Sequence, residues 1–201
     1  PAAIEFVARL QEHLGDRLGP LLLQLPPSYG PARWTDLTAF LQGLRAKLGA
    51  VVSLALEVRH ADWFAGARDN RLNEFLASHQ IGRILLDTRP VYLCPDDPQL
   101  TSERRKPNLP VQPTITAEFG IVRFISHPDP KRNQPYWDYW CDRLLTWQKQ
   151  HKRVYFFVHC PNEVRSPANL KALFVCLQQR GIIGDFTPED VSSNPQLSLF
   201  D

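Results

Sequence analysis

No two cysteines of the chain form a Cys-X-X-Cys pair: Cys94, Cys141, Cys160 and Cys176 stand singly. That spacing supports neither a zinc site nor a small disulfide framework, and it points to a reducing compartment. No apolar run approaches the roughly 20 residues that a membrane-spanning helix needs, and no secretory leader is visible. The chain begins at Pro1 rather than at an initiating methionine, so an upstream segment is expected to be missing. Cytoplasmic residence, with no membrane partner, is the expectation. An excess of charge is lacking too. Lys and Arg number 23 against 21 Asp and Glu, a net charge of +2, which argues against a nucleic-acid-coating or membrane-surface protein. The short basic clusters at 103–107 and 149–153 read as solvated faces. What is present is ordinary: 201 residues, 43% hydrophobic and 22% charged, enough for one sizeable core or a piece of a larger domain.

The hydrophobic pattern alternates between two periods. Helices are expected over 4–15, 35–49, 69–80, 136–150 and 166–181, where apolar residues recur at helical spacing. Thr35 and Ser166 are the expected N-caps, and Gly49 and Gly181 the expected stops. Trp137, Trp140 and Trp147 share one helical stripe and are read as core. Strands are expected over 19–26, 51–60, 82–88, 120–127 and 153–159. Near-continuous apolar strands between helices argue for a parallel sheet. Residues 88–119 carry six prolines and little periodicity, a loop long enough to suggest a functional role.

Alternate residues of a strand face opposite sides. The face with a polar residue near each strand's C-terminal end holds Leu22 and Gln24, then Ala55, Glu57 and Arg59, then Leu85 and Asp87. It continues with Arg123, Ile125 and His127, then Tyr155, Phe157 and His159. The other face, with Ile84 and Leu86 among its residues, is almost purely apolar and is expected under the helices. A TIM (β/α) barrel explains this economically, with polar groups at the C-terminal rim of its lumen. Five strands cannot close an eight-stranded barrel, so a C-terminal portion of one is expected, spanning 1–181 and followed by a flexible tail over 182–201.

Several stretches are similar to those of a known family. LGDRLGPLLLQLPPSYG (14–30), LALEVRHADWF (54–64), ILLDTRP (84–90), VRFISHP (122–128) and VYFFVHCPNEVRSPANLKALF (154–174) closely resemble the YecE-like family, the domain-of-unknown-function family 72. The resemblance runs to about residue 180. It implies a TIM-barrel-like fold whose opening βα units are absent here. It brings no assigned reaction, only a suggested relation to sugar isomerases at the level of fold. Many relatives carry Phe-Asn-Asn after the last strand, where this chain has VHCPNE with His159 and Asn162.

Three readings of the rim compete. In one, Glu57, Asp87, His127 and His159 hold a divalent metal, as in a metal-assisted sugar isomerase. In the second, Arg59 and Arg123 clamp a phosphate or carboxylate, Glu57 or Asp87 acts as base, and His127 or His159 acts as acid. In the third, Glu57–Arg59 and Asp87–Arg123 form an ion network that fills the barrel mouth. The second is preferred because it uses every residue type without importing an ion. Gln24, His60 and Asn169 are further ligand-binding candidates, the last at a helix start. Cys160, beside His159, is read as a structural thiol.

The tail ends in Gln196, Leu197, Ser198, Leu199 and Phe200. This resembles the short peptide with which bacterial replication and repair proteins grip the DNA sliding clamp. A tail of this kind offers apolar anchors and one orienting Gln to a preformed groove. The expectation is an enzyme on a polar or anionic ligand, a phosphoester hydrolase linked to DNA metabolism. A non-catalytic clamp-associated adaptor is the alternative from another class.

Overall fold

Helices and strands alternate through residues 2–94 and 106–184, the part of the chain that the computed structural model describes. In order they are α1 (Ala2–Leu14), β1 (Leu21–Gln24), α2 (Trp34–Leu48), β2 (Leu54–Glu57), α3 (Ala67–Ser78) and β3 (Ile81–Asp87). Then follow α4 (Arg89–Leu93), β4 (Phe119–Ile125), α5 (Gln134–Lys149), β5 (Arg153–His159) and α6 (Ser166–Gln179). The five strands are all parallel and adjoin in the order of the sequence, β1-β2-β3-β4-β5. A doubly wound sheet reverses its strand order at a switch point; an order that never reverses is that of a (β/α) barrel.

The local signals mostly produce the elements expected, with shifted ends. Gly49 closes α2 at φ 68°, its N–H bonded to Arg45 O, and Gly181 turns the chain after α6 at φ 65°. Thr35 and Ser166 are not N-caps: a 3₁₀ turn precedes each helix and puts both residues inside it. The 88–119 stretch is not wholly irregular, because α4 starts it. Among the described residues no helix is long and apolar enough to cross a membrane.

One sheet face is covered by helices. Leu54 and Leu56 pack with Leu37, Leu41 and Leu72, while Leu85, Val122 and Phe124 pack with Trp137, Trp140 and Leu173. The other face holds Ala55, Ile84, Ile121 and Tyr155 in its middle layer and Leu86 and Ile125 near the strand ends. The inner-face side chains Leu22 and Phe157, on the two edge strands, are 44% and 50% exposed.

The register corrects the reading of β3. Ala55 pairs with Gly82, Ile84 with Ile121 and Leu86 with Arg123. Gly82, Ile84 and Leu86 therefore share the inner face with Glu57 and Arg123, whereas Arg83, Leu85 and Asp87 face the helices. The polar residues of β3 found partners on the helical side. Arg83, 1% exposed, donates to Asp69 Oδ1 at 2.6 Å and Asn73 Oδ1 at 2.7 Å on α3, and lies over the Phe64 ring.

A buried charge that loses its partner costs about 3–5 kcal/mol. Asp69→Ala leaves the Arg83 guanidinium with Asn73 alone and is expected to destabilise the protein by about that amount. The denaturant midpoint measures it; a loss below about 1 kcal/mol would contradict the placement of Arg83.

Candidate functional site

Glu57 closes β2 on the inner face and is fully buried. A carboxylate removed from water needs charged partners. Arg123 Nη1 donates to Glu57 Oε2 at 2.5 Å, and Arg59 Nε lies 3.0 Å from Oε1. Arg123 Nη1 also reaches Gln24 Oε1 at 3.2 Å. These residues come from β1, β2 and β4, and from the residues just past β2. On a flat sheet β1 and β4 stand about 14 Å apart, with side chains roughly perpendicular to it. Contact between Arg123 and Gln24 therefore requires a sheet curled with this face concave, as in a barrel wall.

His159 ends β5 on the same face, opposite Ile125 of β4. Its carbonyl accepts both the backbone N–H and the hydroxyl of Ser126 at 2.7 Å. Burial, then repulsion from Arg123, pulls the imidazole below its ordinary pKa, with Lys106 adding to the effect and Glu163 and Glu57 opposing it. The shift favours the uncharged imidazole. Glu163, and Lys106 of the cluster expected to be a solvated face, complete the electrostatic neighbourhood.

Other candidates stand elsewhere. Asp87 is fully buried on the opposite face, where Oδ2 accepts from Trp140 Nε1 at 2.8 Å and both oxygens accept from Arg89. It clamps α4 and α5 to β3 and does not meet Arg123. His127, 5% exposed, is held in the turn after β4: Nδ1 accepts the Asp129 N–H at 2.9 Å, and its backbone N–H and C=O bond the Asn133 amide. His60 repeats this device after β2, with Nδ1 accepting the Asp62 N–H at 3.1 Å and its ring against Gly30. Asn169 is not an exposed helix-start residue. It is fully buried and donates to Ser126 Oγ at 2.8 Å and His127 O at 3.0 Å, tying α6 to the end of β4.

The four proposed metal donors do not converge, because Asp87 points to the helical side and Glu57 is held by two guanidinium groups. Among the described residues no group of three or more His, Cys, Asp or Glu side chains is placed to hold a metal ion. Cys160 is buried, as are Cys94, Cys141 and Cys176. A concavity of about 320 Å³ lined by Ser53, Glu118, Phe119, His151, Arg153 and Tyr155 opens at the other end of the strands. In barrels that end carries stability rather than chemistry. Gln196, Leu197, Leu199 and Phe200 lie outside the described residues.

Comparison with known proteins decides the family. The family model described as "Protein of unknown function DUF72" matches residues 1–191. The chain belongs to the DUF72 family. It is 31% identical over 178 residues to the protein YecE of Escherichia coli, covering 87% of this chain and 63% of that one. It therefore spans less than two thirds of the length of the curated relatives it matches. Among solved structures, a DUF72 protein of Enterococcus faecalis aligns with a TM-score of 0.63 at 18% identity, over 90% of this chain and 67% of that one. A DUF72 protein of Thermotoga maritima aligns with a TM-score of 0.59 at 21% identity, over 88% and 64% of the two chains. These likenesses support the α/β barrel-type architecture.

The electrostatic account of His159 has a definite sign. Positive charge at Arg123 disfavours the imidazolium, so Arg123→Gln is expected to raise the His159 titration midpoint. Proton NMR of the His159 ring measures it; a midpoint that stays put or falls would separate the two residues.

Proposed function

We propose that this DUF72 protein binds an anionic, phosphate-containing ligand at the C-terminal rim of its sheet and hydrolyses a phosphate ester there. The observation that supports this most is the side-by-side pair of arginines fixed by buried Glu57. Glu57 and Gln24 engage Nε of Arg59 and Nη1 of Arg123. A guanidinium has five N–H donors, so other nitrogens of both groups remain for a ligand. Planar donors of this kind suit phosphate oxygens, and their charge stabilises the transition state of phosphoryl transfer.

In this reading Glu57 positions the arginines and is not the base. Neutral His159 takes the proton of an attacking water. The water oxygen bonds to phosphorus, the P–O bond to the alcohol breaks, and the departing oxygen takes up the proton that His159 received, which returns the imidazole to its neutral form. Asn169 acts through Ser126, whose contacts hold the His159 backbone at the strand end.

Inorganic phosphate tests the binding half. Arg123→Gln is expected to weaken phosphate binding more than about tenfold in calorimetric titration, because a charge-assisted contact is lost. His159→Asn is expected to retain phosphate binding while abolishing hydrolysis of a phosphate ester. Wild-type protein that binds no phosphate would overturn the reading.

Recruitment to the DNA sliding clamp through Gln196, Leu197, Leu199 and Phe200 is a separate proposal resting on the tail sequence alone. A tail peptide is expected to bind purified bacterial clamp, and Phe200→Ala to lose more than about tenfold of that affinity, as for a buried aromatic anchor. Unchanged binding would remove the proposal.

A further inference from the structure

The segment that returns from the long loop to β4 is fastened over the strand ends at three points. The Tyr92 hydroxyl donates to Lys106 O, and Thr88 Oγ1 donates to Pro107 O at 3.0 Å. Leu109, 5% exposed, packs with Val91 and with Leu86 and Ile125, the inner-face residues that end β3 and β4. The backbone of Lys106 is thereby held at the rim. Its half-buried side chain lies within the field of Arg123, Arg59, Glu57 and Glu163.

This placement is costly by itself. Burial, then Arg123 and Arg59, pushes the Lys106 ammonium below its ordinary pKa, against the opposing pull of Glu57 and Glu163. Arg59 and Arg123 flank the buried Glu57, and Lys106 adds a third positive charge to their neighbourhood. Glu163 stands on the exposed 3₁₀ turn before α6, where water screens it. A lysine on an unfastened segment would swing outward and relieve the repulsion; here Lys106, Pro107 and Leu109 are bonded or packed in place.

We propose that Lys106 is the third anion-binding residue of the rim and that it selects a dianionic phosphate, the terminal phosphate of a monoester, over singly charged ligands. The proposal rests on the anion-site reading given above and names its ligand class. Glu57 offsets one of the two arginine charges, and Lys106 adds a second uncompensated charge that matches a dianion. The arginines supply planar donors that suit any phosphate, and a further positive charge at Lys106 adds a Coulomb contribution that scales with the charge of the ligand it meets. A phosphate monoester has a second pKa near 6, so it is mainly dianionic at about pH 7.5, whereas a diester is a monoanion.

Calorimetric titration of the folded protein with methyl phosphate and with dimethyl phosphate at about pH 7.5 tests this directly. The wild type is expected to prefer methyl phosphate by about tenfold or more. Lys106→Gln is expected to lower methyl phosphate affinity about tenfold while changing dimethyl phosphate affinity less than about twofold, and Lys106→Arg to keep the preference. Thermal melts of both variants establish that they fold. Equal binding of the two ligands by the wild type, or an equal loss of both in Lys106→Gln, would overturn the role of Lys106 and leave the arginine site standing. If the wild type binds neither ligand, the anion site itself falls, and this proposal with it.

Discussion

A fully buried carboxylate at the end of β2 organises the rim of this protein. Glu57 has left water and must be neutralised within the fold, and the groups that do so come from Arg59, just beyond its own strand, and from Arg123 two strands away. That requirement links local chemistry to overall shape. Arg123 meets both Glu57 and Gln24 only if the strands between them curve. The curvature, the long helices on one face and the unreversed strand order are aspects of one arrangement, the wall of a barrel. A buried ion pair is weak evidence for stability in itself. Here it holds Arg123 by a hydrogen bond and Arg59 by charge at the same carboxylate.

The two faces of the sheet treat charge differently. On the helical face, Arg83 and Asp87 are enclosed beside groups that balance their charge: Asp69, with Asn73 as a further acceptor, for the first, and Arg89, with Trp140 as a further donor, for the second. Each is a closed neutral unit, as buried charges require. On the inner face, positive groups exceed their local compensation, and burial and Arg123 together pull the His159 imidazole below its ordinary pKa. That excess of one sign is the feature on which the proposed anion site rests.

Much of this was legible in the sequence. The alternation of helix and strand, the parallel arrangement, the buried Trp137, Trp140 and Trp147 and the inner-face placement of Gln24, Glu57, Arg123 and His159 all follow from periodicity. The side assigned to β3 did not follow. A strand's faces exchange on a one-residue slip, and the rule that a polar terminal residue points to the lumen fails when a helix offers partners. Asp87 finds its indole N–H 53 residues away at Trp140, a distance at which local pattern says nothing. Asn169 was obscured for the same reason: its amide is buried against Ser126 and His127, on another element. Lys106 was hidden in an aperiodic, proline-rich stretch whose basic cluster resembles ordinary solvated surface. Its anchors, Tyr92 and Thr88, become visible only with the loop folded back.

The central claim is that Glu57 holds Arg59 and Arg123 rigidly at the mouth of a concave sheet. Nitrogen-15 NMR of the arginine guanidinium groups reads that rigidity most directly. The account predicts resolved, slowly exchanging side-chain N–H signals for Arg59 and Arg123 that collapse to rapidly averaged ones in Glu57→Gln. Averaged signals in the wild type, or resolved signals that survive the substitution, would contradict it.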